Sequence, residues 1–329
     1  MSLMMSVSGV RGIVGETMTP ALVRELASAF GSHLGGGSVV IGRDSRASGT
    51  SLLEGVTEGL RATGCDVVVL GVVSTPGTAL MIGEHSASGG MVITASHNPG
   101  EWNGIKFLTA EGFAPPPEEA NSIFARYHNK NVNIVDSAHE GSMEIDDSTH
   151  ELHVAKVLGI LDVESIRRCG FTVVLDSING AGGFGGRVLL ERLGCRVEHI
   201  NAEPSGIFAH TPEPTQANLV GLCDAVRAHD ADIGFAQDPD ADRLAVVDNT
   251  GRYIGEEYTL ALSAKFILGR TPGRIAANLS TSRMVDDIAA GVGGAASVVR
   301  TAVGEANVAR AVLDQGCVLG GEGNGGVID

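Results

Sequence analysis

The chain is organised around the stretch Gly89-Gly90-Met91-Val92-Ile93-Thr94-Ala95-Ser96-His97-Asn98-Pro99. Its apolar, partly β-branched residues predict a buried strand over residues 91–95. Pro99 can continue neither a strand ladder nor a helix interior, so the chain must turn there. Ser96 is therefore expected at the tip of a strand, on a scaffold that suits nucleophilic or phosphoryl chemistry. The alternative is that these residues only satisfy the hydrogen bonds of a turn.

The composition bounds the class of protein. A chain of 329 residues is long enough for two or three domains. Its 46 glycines and 43% hydrophobic residues favour α/β layers with many tight turns. The net charge of −16 argues against a nucleic acid and against an anionic membrane surface as partner. Five widely spaced cysteines without a C-x-x-C pair indicate reduced thiols. We expect a cytoplasmic protein, either a monomer or a homodimer.

Strand and helix patterns alternate along the whole chain, which predicts an α/β fold of successive domains. The first domain is expected over residues 1–150, the second over 151–253 and the third over 254–329. The polar segment 129–148 is expected to be a linker or a hairpin region at the first boundary. The third unit ends one loop after its last predicted strand, where a domain does not normally stop, so we expect it to be truncated.

The strongest chemical signal is the loop Asp238-Pro239-Asp240-Ala241-Asp242-Arg243. Its three carboxylates occupy alternate positions of an extended loop and project to one side. Carboxylates that close repel one another unless a hard cation lies between them, and an all-oxygen site suits Mg²⁺. Arg243 adds a fork-shaped donor for an anion. An EF-hand is excluded, because the sixth loop position would be Arg243 and the twelfth Asn249. The alternative is a solvated acidic turn.

A second polar loop, Gly320-Gly321-Glu322-Gly323-Asn324-Gly325-Gly326, places two polar side chains among five glycines. Glu322 and Asn324 are suited to hydrogen-bond neighbouring hydroxyls of a sugar, although a plain flexible turn is an equal alternative. Basic side chains elsewhere would offset the acidic loop for a phosphate ligand, although each alone is more often part of an ion pair. These basic residues are Arg11, Arg43, Arg46 and Lys106.

A competing hypothesis rests on Gly180-Ala181-Gly182-Gly183-Phe184-Gly185, which matches the dinucleotide-binding pattern G-x-G-x-x-G. The segment follows a predicted strand, precedes a predicted helix, and has Glu198 about twenty residues later, as that pattern requires. It would make the chain an NAD-type oxidoreductase. Against this hypothesis, residues 176–179 lengthen the turn beyond the tight one that the pattern needs.

Taken together, these stretches resemble the α-D-phosphohexomutase family. The resemblance covers essentially the whole chain and is carried by the phosphoserine loop at 94–99, the metal loop at 238–243 and the sugar loop at 321–325. It implies tandem α/β domains with mixed sheets flanked by helices, without the family's fourth domain. Further family-like stretches are residues 8–12, 42–46, 103–106 and 179–182.

The resemblance implies a reversible shift of a phosphoryl group between positions 1 and 6 of a hexose phosphate. Ser96 would carry the phosphoryl group, and a hexose 1,6-bisphosphate would be the intermediate and activator. A magnesium ion would be bound by the phosphoserine oxygen of Ser96 and by Asp238, Asp240 and Asp242. The remaining expected roles are proton transfer by His97 or Lys106, phosphate contacts by Arg11 and Arg243, and substrate binding by Arg43, Arg46, Glu322 and Asn324.

The identity of the sugar is suggested by His210-Thr211-Pro212-Glu213-Pro214-Thr215, which resembles the version found in glucosamine-phosphate members. Glucosamine phosphate is therefore the first expectation, followed by mannose or glucose phosphate. The sugar loop departs from the commoner family pattern, with Asn324 in place of serine and Gly326 in place of histidine. Without a fourth domain to hold the non-reacting phosphate, we expect this polypeptide to be poorly active. A non-catalytic sugar-phosphate-binding fragment is the third hypothesis.

Overall fold

The computed structural model describes residues 3–7 and 9–329, so Ser8 of one family-like stretch lies outside the described residues. The chain forms three α/β units in succession, each with its own sheet and its own buried apolar cluster. All three sheets contain parallel and antiparallel neighbours, and helices cover them. The predicted fold class, tandem α/β domains with mixed sheets flanked by helices, is confirmed.

The first unit is the largest. Its elements are β1 (Met4–Ser6), β2 (Gly9–Ile13), α1 (Pro20–Leu34), β3 (Ser38–Arg43), α2 (Gly49–Arg61), β4 (Asp66–Val72), α3 (Thr75–Glu84), β5 (Gly89–Ile93), β6 (Trp102–Leu108), α4 (Pro117–His128) and β7 (Met143–Ile145). The strands form one seven-stranded sheet in the order β1-β2-β6-β5-β3-β4-β7. Alternate strand residues fill two cores, since Val39 and Ile41 pack towards α1 and α2 while Val40 packs towards α3.

Helix α1 shows how the local sequence sets an element boundary. The side chain of Thr19 accepts a hydrogen bond from the Leu22 N–H at 3.2 Å, and Pro20 occupies the first helical position. The helix ends at Gly35, whose φ of 77° is the left-handed conformation that favours glycine. Both ends of this helix are therefore set by residues of the local sequence.

Two expectations for the first unit need correction. The segment 129–148 is not a free linker, because β7 pairs in parallel with β4 and extends the sheet. Arg61 Nε also donates to the Gly141 carbonyl at 2.6 Å, which fixes the segment to α2. The strand before Ser96 is β5, which starts and ends two residues earlier than predicted. After Ile93 the chain leaves the strand and turns at Ser96, whose positive φ of 49° is not a strand conformation.

The second unit carries the acidic loop. Its elements are α5 (Thr149–Ile160), α6 (Val163–Cys169), β8 (Thr172–Asp176), α7 (Gly183–Arg192), β9 (Arg196–Ile200), α8 (Val220–Ala228), β10 (Ile233–Gln237) and β11 (Leu244–Asp248). The strand order is β11-β10-β8-β9, with β10 and β11 antiparallel and the other neighbours parallel. The acidic loop is the connection between β10 and β11.

The third unit carries the glycine-rich polar loop. Its elements are α9 (Glu257–Leu268), β12 (Arg274–Asn278), α10 (Met284–Val292), β13 (Ser297–Thr301), α11 (Glu305–Gln315), β14 (Leu319–Gly321) and β15 (Val327–Ile328). The strand order is β13-β12-β14-β15. Each of the three loops predicted to carry chemistry thus follows the carboxyl end of a strand, where ligands bind in α/β sheets. Within the described ranges, no helix is both long and apolar enough to cross a membrane.

The contact between α1 and α2 depends on glycine, which gives a test of the first core. A Cβ atom on Gly59 would lie 2.3 Å from the Arg24 carbonyl oxygen, so Gly59→Ala should lower the free energy of unfolding by about 1–3 kcal/mol through overpacking. Urea unfolding can be followed by the fluorescence of Trp102, the one tryptophan of the chain. The control is Gly83→Ala in α3, where a Cβ meets open space and stability should stay equal or rise. Equal loss in both variants would contradict the packing.

Candidate active site

The Ser96 loop has an unusual backbone. Ser96 has a φ of 49°, a strained backbone conformation of the kind found at functional sites. Its side chain is only 1% exposed. The hydroxyl of Thr94 accepts the Ser96 N–H at 2.9 Å and donates to Asp44 Oδ2 at 2.7 Å. The loop is therefore held in its strained form by buried side chains of neighbouring strand ends.

Arg46 is the main support of this loop. Its guanidinium is buried, and its Nε donates to Asp44 Oδ2 at 2.9 Å. The other guanidinium nitrogens donate to carbonyl oxygens of the loop, those of Ser96, Asn98 and Pro99 at 2.7 Å and that of Trp102 at 3.1 Å. These contacts do not fit the expectation that Arg46 binds substrate, because its donors are already committed to the protein backbone.

The second unit brings its acidic loop directly to this serine. The Ser96 hydroxyl donates to Asp238 Oδ2 at 2.9 Å across the boundary between the two units. The other oxygen of Asp238 accepts the backbone N–H groups of Asp242 at 3.1 Å and Arg243 at 3.2 Å. Asp238 and Asp240 are fully buried. The two loops that the sequence singled out separately thus form one site.

The three aspartates have the geometry of a cation site. Asp238, Asp240 and Asp242 each offer one carboxylate oxygen, and these oxygens lie within 4.8 Å of one another. Among the described residues, the buried Oδ1 atoms of Asp240 and Asp242 have no hydrogen-bond partner. Buried carboxylate oxygens without partners are costly unless a cation or a proton satisfies them. An all-oxygen donor set of this kind fits Mg²⁺.

Lys106 closes the acidic cluster from the first unit. Its Nζ lies 2.7 Å from Asp240 Oδ2 and 2.6 Å from Asp242 Oδ2. Burial opposes the charge of Lys106, but these carboxylates raise its pKa overall. Burial likewise opposes the charge of Asp240, and Lys106 reverses that effect, so the pKa of Asp240 is lowered. Burial, Asp242 and Asp240 raise the pKa of Asp238.

His97 and Arg11 make further contacts to the Ser96 loop. The Nδ1 of His97 lies 3.4 Å from Ser96 Oγ, and Arg11 donates to Asn98 Oδ1 at 3.1 Å. Burial, together with the charges of Arg243 and Arg11, lowers the pKa of His97 to about 4. In this arrangement His97 is neutral near neutral pH, in contrast to Lys106.

The two remaining predicted arginines differ in position. Arg243 Nε lies 3.9 Å from Asp242 Oδ1, so it belongs to the rim of the acidic cluster. Burial opposes its charge, but Asp242 and Asp238 raise the pKa of Arg243 overall. Arg43 donates to the Asp44 carbonyl at 3.1 Å, and among the described contacts none joins it to the acidic loop. Its expected role in substrate binding stays a prediction.

The sugar loop is preorganised by hydrogen bonds within the third unit. Glu322 Oε1 accepts from the side-chain amide of Asn278 and from the Gly304 N–H, the latter at 3.1 Å. Its Oε2 accepts from Asn324 Nδ2 at 3.3 Å, so the two predicted ligands lie side by side. The remaining acceptor capacity of Oε2 is available to a hydroxyl group.

One glycine attaches the sugar loop to the acidic loop. Gly325 has a φ of 92°, and its carbonyl accepts the N–H of Leu244, the residue after Arg243, at 3.1 Å. A Cβ at this position would lie 2.5 Å from the Leu244 carbonyl oxygen, so only glycine fits. The third unit therefore presents Glu322 and Asn324 beside the same cleft.

Two residues beside this site, Thr75 and Glu305, were not predicted from the sequence. Thr75 donates through its hydroxyl to Asp240 Oδ2 at 2.6 Å, and its position just after β4 was the available signal. Glu305, at the start of α11, is exposed. Desolvation by the neighbouring protein, together with the acids Asp242 and Glu322, raises the pKa of Glu305 to about 7 against the effect of Lys106. No sequence motif pointed to Glu305.

The chain matches known protein families along nearly its whole length. Models of the phosphoglucomutase/phosphomannomutase family match three successive parts of the chain: α/β/α domain I over residues 3–133, domain II over 151–251 and domain III over 255–329. The chain belongs to the α-D-phosphohexomutase family. The resemblance inferred from the three loops is confirmed, and the family is one of hexose phosphate mutases.

Individual mutases give the same result. A protein of Methanopyrus kandleri named probable phosphoglucosamine mutase is 41% identical over 97% of this chain and 70% of its own length. A phosphoglucomutase/phosphomannomutase of Thermococcus kodakarensis is 39% identical over 97% of this chain and 71% of its own length. The crystal structure of a phosphoglucomutase/phosphomannomutase family protein from Burkholderia thailandensis superimposes with a TM-score of 0.87 at 30% identity, covering 98% of this chain and 72% of that one.

The glycines of the dinucleotide-like pattern have a packing role in this mutase fold. A Cβ on Gly180 would lie 2.7 Å from the Pro239 carbonyl oxygen, and one on Gly182 would lie 2.6 Å from Ala241 Cβ. These glycines therefore allow the turn to pack against the acidic loop. Glu198 lies in the middle of β9, whereas the dinucleotide pattern needs an acid at a strand end to bind ribose. The geometry does not support the oxidoreductase hypothesis.

The aspartate cluster predicts how one substitution affects metal affinity. Asp238→Asn should raise the Kd for Mg²⁺ or Mn²⁺ by at least about tenfold, since an anionic ligand is lost. Titration calorimetry of the folded protein measures this effect. The control is Asp147→Asn, which changes an exposed carboxylate outside the cluster and should leave the Kd unchanged. Unchanged affinity in Asp238→Asn would contradict the proposed ligand set.

Arg46 predicts a loss of stability from a substitution that keeps the charge. Arg46→Lys cannot reproduce the fork of donors, so buried carbonyl groups lose partners, at about 1–3 kcal/mol each. We expect the free energy of unfolding to fall by more than about 2 kcal/mol in urea titrations followed by Trp102 fluorescence. Arg24→Lys, an exposed change on α1, is the control and should have little effect. Equal stability of the two variants would exclude this role.

Proposed function

We propose that Ser96 carries the phosphoryl group in a reversible 1,6-phosphoryl shift on a hexose phosphate. The observation that supports this most directly is the position of the Ser96 hydroxyl, 2.9 Å from Asp238 and beside a cluster of three aspartates and Lys106. A hydroxyl that only completed a turn would not need a carboxylate partner from a second unit. Family membership supports the reaction class, and the contact between Ser96 and Asp238 supports Ser96 as the carrier residue.

The cation would be Mg²⁺, held by Asp238, Asp240, Asp242 and an oxygen of phosphorylated Ser96. A phosphoserine adds a charge of about −1.5 to −2, which three neighbouring carboxylates would otherwise repel. When bound, the ion supplies neutralisation of the phosphoryl charge. Asp240 and Asp242 each have a buried oxygen without a hydrogen-bond partner in the described part of the chain, which supports this assignment.

The protein itself would contribute positioning and positive charge. Arg11 contacts Asn98 of the Ser96 loop, while Lys106 and Arg243 lie against the aspartate cluster. These cations would balance the charge that develops on the transferred group. His97 and Lys106 are the candidates for proton transfer to or from the sugar hydroxyl. His97 is supported by its 3.4 Å approach to Ser96 Oγ, and Lys106 by its position between Asp240 and Asp242.

The reaction would proceed in two transfers. The bond between phosphorus and Ser96 Oγ breaks as a bond to one sugar hydroxyl forms, and that hydroxyl loses its proton. The product is a hexose 1,6-bisphosphate, which turns over in the cleft. The second transfer returns the other phosphoryl group to Ser96. Glu322 and Asn324 would hold the sugar hydroxyls in both orientations, since they lie side by side in the cleft.

Glucosamine phosphate is the proposed substrate, with mannose or glucose phosphate next. The relatives support this order only in part, because the Methanopyrus kandleri protein is named a probable phosphoglucosamine mutase and the Thermococcus kodakarensis protein a phosphoglucomutase/phosphomannomutase. The choice of an amino sugar rests on Glu213 in the segment 210–215, which resembles the glucosamine-phosphate members and is exposed. Rates with the three sugar phosphates decide the order, and a coupled assay decides whether this polypeptide is poorly active.

The carrier role predicts a covalent product. Incubation with glucose 1,6-bisphosphate and Mg²⁺ should add one phosphoryl group, about 80 Da, to the intact protein. The bisphosphate donates this group to Ser96 when the first transfer runs in reverse. Intact-mass spectrometry measures the product, and Ser96→Ala should abolish it. Ser86→Ala is a matched control, since Ser86 is another serine with a φ of 49° but is exposed on the surface.

The alternatives give different results in the same experiment. A non-catalytic sugar-phosphate binder would retain affinity for the bisphosphate without gaining mass. Phosphate incorporation that persists in Ser96→Ala would assign the carrier role to another residue and contradict the proposal.

A further inference from the structure

The distance between Ser96 and Asp238 depends on how two separate units are held together. Ser96 belongs to the first sheet and Asp238 to the second, so a small relative displacement would separate the hydroxyl from the acidic cluster. Some contacts across the boundary involve the site itself, such as those of Thr75 and Lys106 with Asp240. A contact outside the site is needed if the units are to stay in place when a ligand changes those bonds.

Ser45 provides such a contact. It lies between Asp44 and Arg46, the two residues that fix the Ser96 loop, and is only 4% exposed. Its hydroxyl points to the second unit and donates to the Asn179 carbonyl at 2.7 Å. Arg46 holds the Ser96 loop through four carbonyl groups. Ser45 is the residue before Arg46, so one peptide bond joins the support of the loop to the contact with the second unit.

The acceptor of this bond lies in a strained turn. Ile178 and Asn179 have φ values of 46° and 55°, and Ile178 is a fully buried β-branched residue for which this conformation is rare. Asn179 is fixed through its N–H to the Asn201 carbonyl at 2.7 Å and through its amide to the Glu203 carbonyl at 2.9 Å. Strain that the surroundings maintain in this way marks a segment with a defined task.

The same turn continues directly to the acidic loop. Gly180 packs against Pro239 so closely that a Cβ would lie 2.7 Å from its carbonyl oxygen. The next residue, Ala181, donates its N–H to that oxygen at 2.8 Å. Pro239 stands between Asp238 and Asp240. A continuous series of contacts therefore runs from the Ser96 loop through Ser45 and the turn to the metal ligands.

A surface segment of the second unit covers this junction. Gly206 has a φ of 69°, its N–H donates to the Asn179 carbonyl at 3.3 Å, and a Cβ there would lie 2.2 Å from the Ser45 carbonyl oxygen. The ring of Phe208 lies 4.8 Å from the guanidinium carbon of Arg46. The segment thus seals the Ser45 bond from water and packs on the loop support.

We propose that Ser45 is a positioning residue, whose bond to the strained turn 178–180 sets the alignment of Ser96 with the aspartate cluster. This inference rests on the proposed function, since it concerns the geometry of phosphoryl transfer to Ser96. Ser45 touches neither the cation site nor the sugar loop among the described contacts. Its effect is therefore on transfer rate and not on metal or sugar affinity.

The test compares variants in the phosphorylation of Ser96 by glucose 1,6-bisphosphate. Ser45→Ala should lower the first-order rate constant by at least about fivefold, because small misplacements of reacting groups have large effects on rate. The bisphosphate concentration at half-maximal rate and the Kd for Mn²⁺ should change less than twofold. Ser51→Ala is the matched control, since it removes a serine-to-carbonyl bond that stays within the first unit.

A second variant approaches the same contact from the other unit. Gly206→Ala pushes against the Ser45 carbonyl from a surface segment, so it should fold and show the same selective loss of rate. Hydrogen exchange of residues 177–182 and 238–243 gives a readout that does not need catalysis. Both segments should exchange faster in Ser45→Ala and Gly206→Ala than in Ser51→Ala.

The outcomes separate this inference from the proposed function. Transfer rates or hydrogen exchange equal to those of Ser51→Ala would overturn the positioning role. A loss of rate that a fall in Tm explains through general destabilisation would overturn it as well. If the unaltered protein never becomes phosphorylated, the proposed function fails, and unchanged exchange in Ser45→Ala would then overturn the structural link on its own.

Discussion

The structure depends on an electrostatic constraint at the boundary of two units. Three aspartates are held close together, two of them fully buried, and their mutual repulsion is offset by Lys106 from the neighbouring unit. Removing that ammonium would leave buried anions without compensation, which is strongly unfavourable. The cluster is therefore stable only when the first and second units are assembled, and the site exists only in the assembled chain.

The rest of the fold serves to keep this cluster in place. Arg46 holds the Ser96 loop through backbone carbonyls, and Gly325 lets the sugar loop approach Leu244. Arg46 is suited to its role by the fork of donors on its guanidinium. Gly325 is suited to its role because it has no side chain to obstruct the contact. Because these supports lie close to strand ends, the loops of the site are held near their attachment to the sheets.

The sequence predicted the parts of the site whose chemistry is local. The alternate aspartates at 238–242 and the hydroxyl before Asn98-Pro99 can be recognised from the sequence alone. The reason is that spacing and turn chemistry act over a few residues. Arg46 was misjudged, since an arginine bound to ligand and one bound to carbonyls look identical in sequence. Glu305 was missed for a related reason, because no motif near it in the chain marks it, and Thr75 was missed because only its position after a strand distinguished it.

By itself, the sequence determined the α/β class, the three loops and the resemblance to a mutase family, since these depend on periodicity and on motifs within single segments. The tertiary structure alone decided that Ser96 contacts Asp238, that Lys106 pairs with Asp240 and Asp242, and that the glycines at 180 and 182 pack against the acidic loop. The physical reason is that these contacts join residues more than fifty positions apart, where the packing of whole units sets every distance.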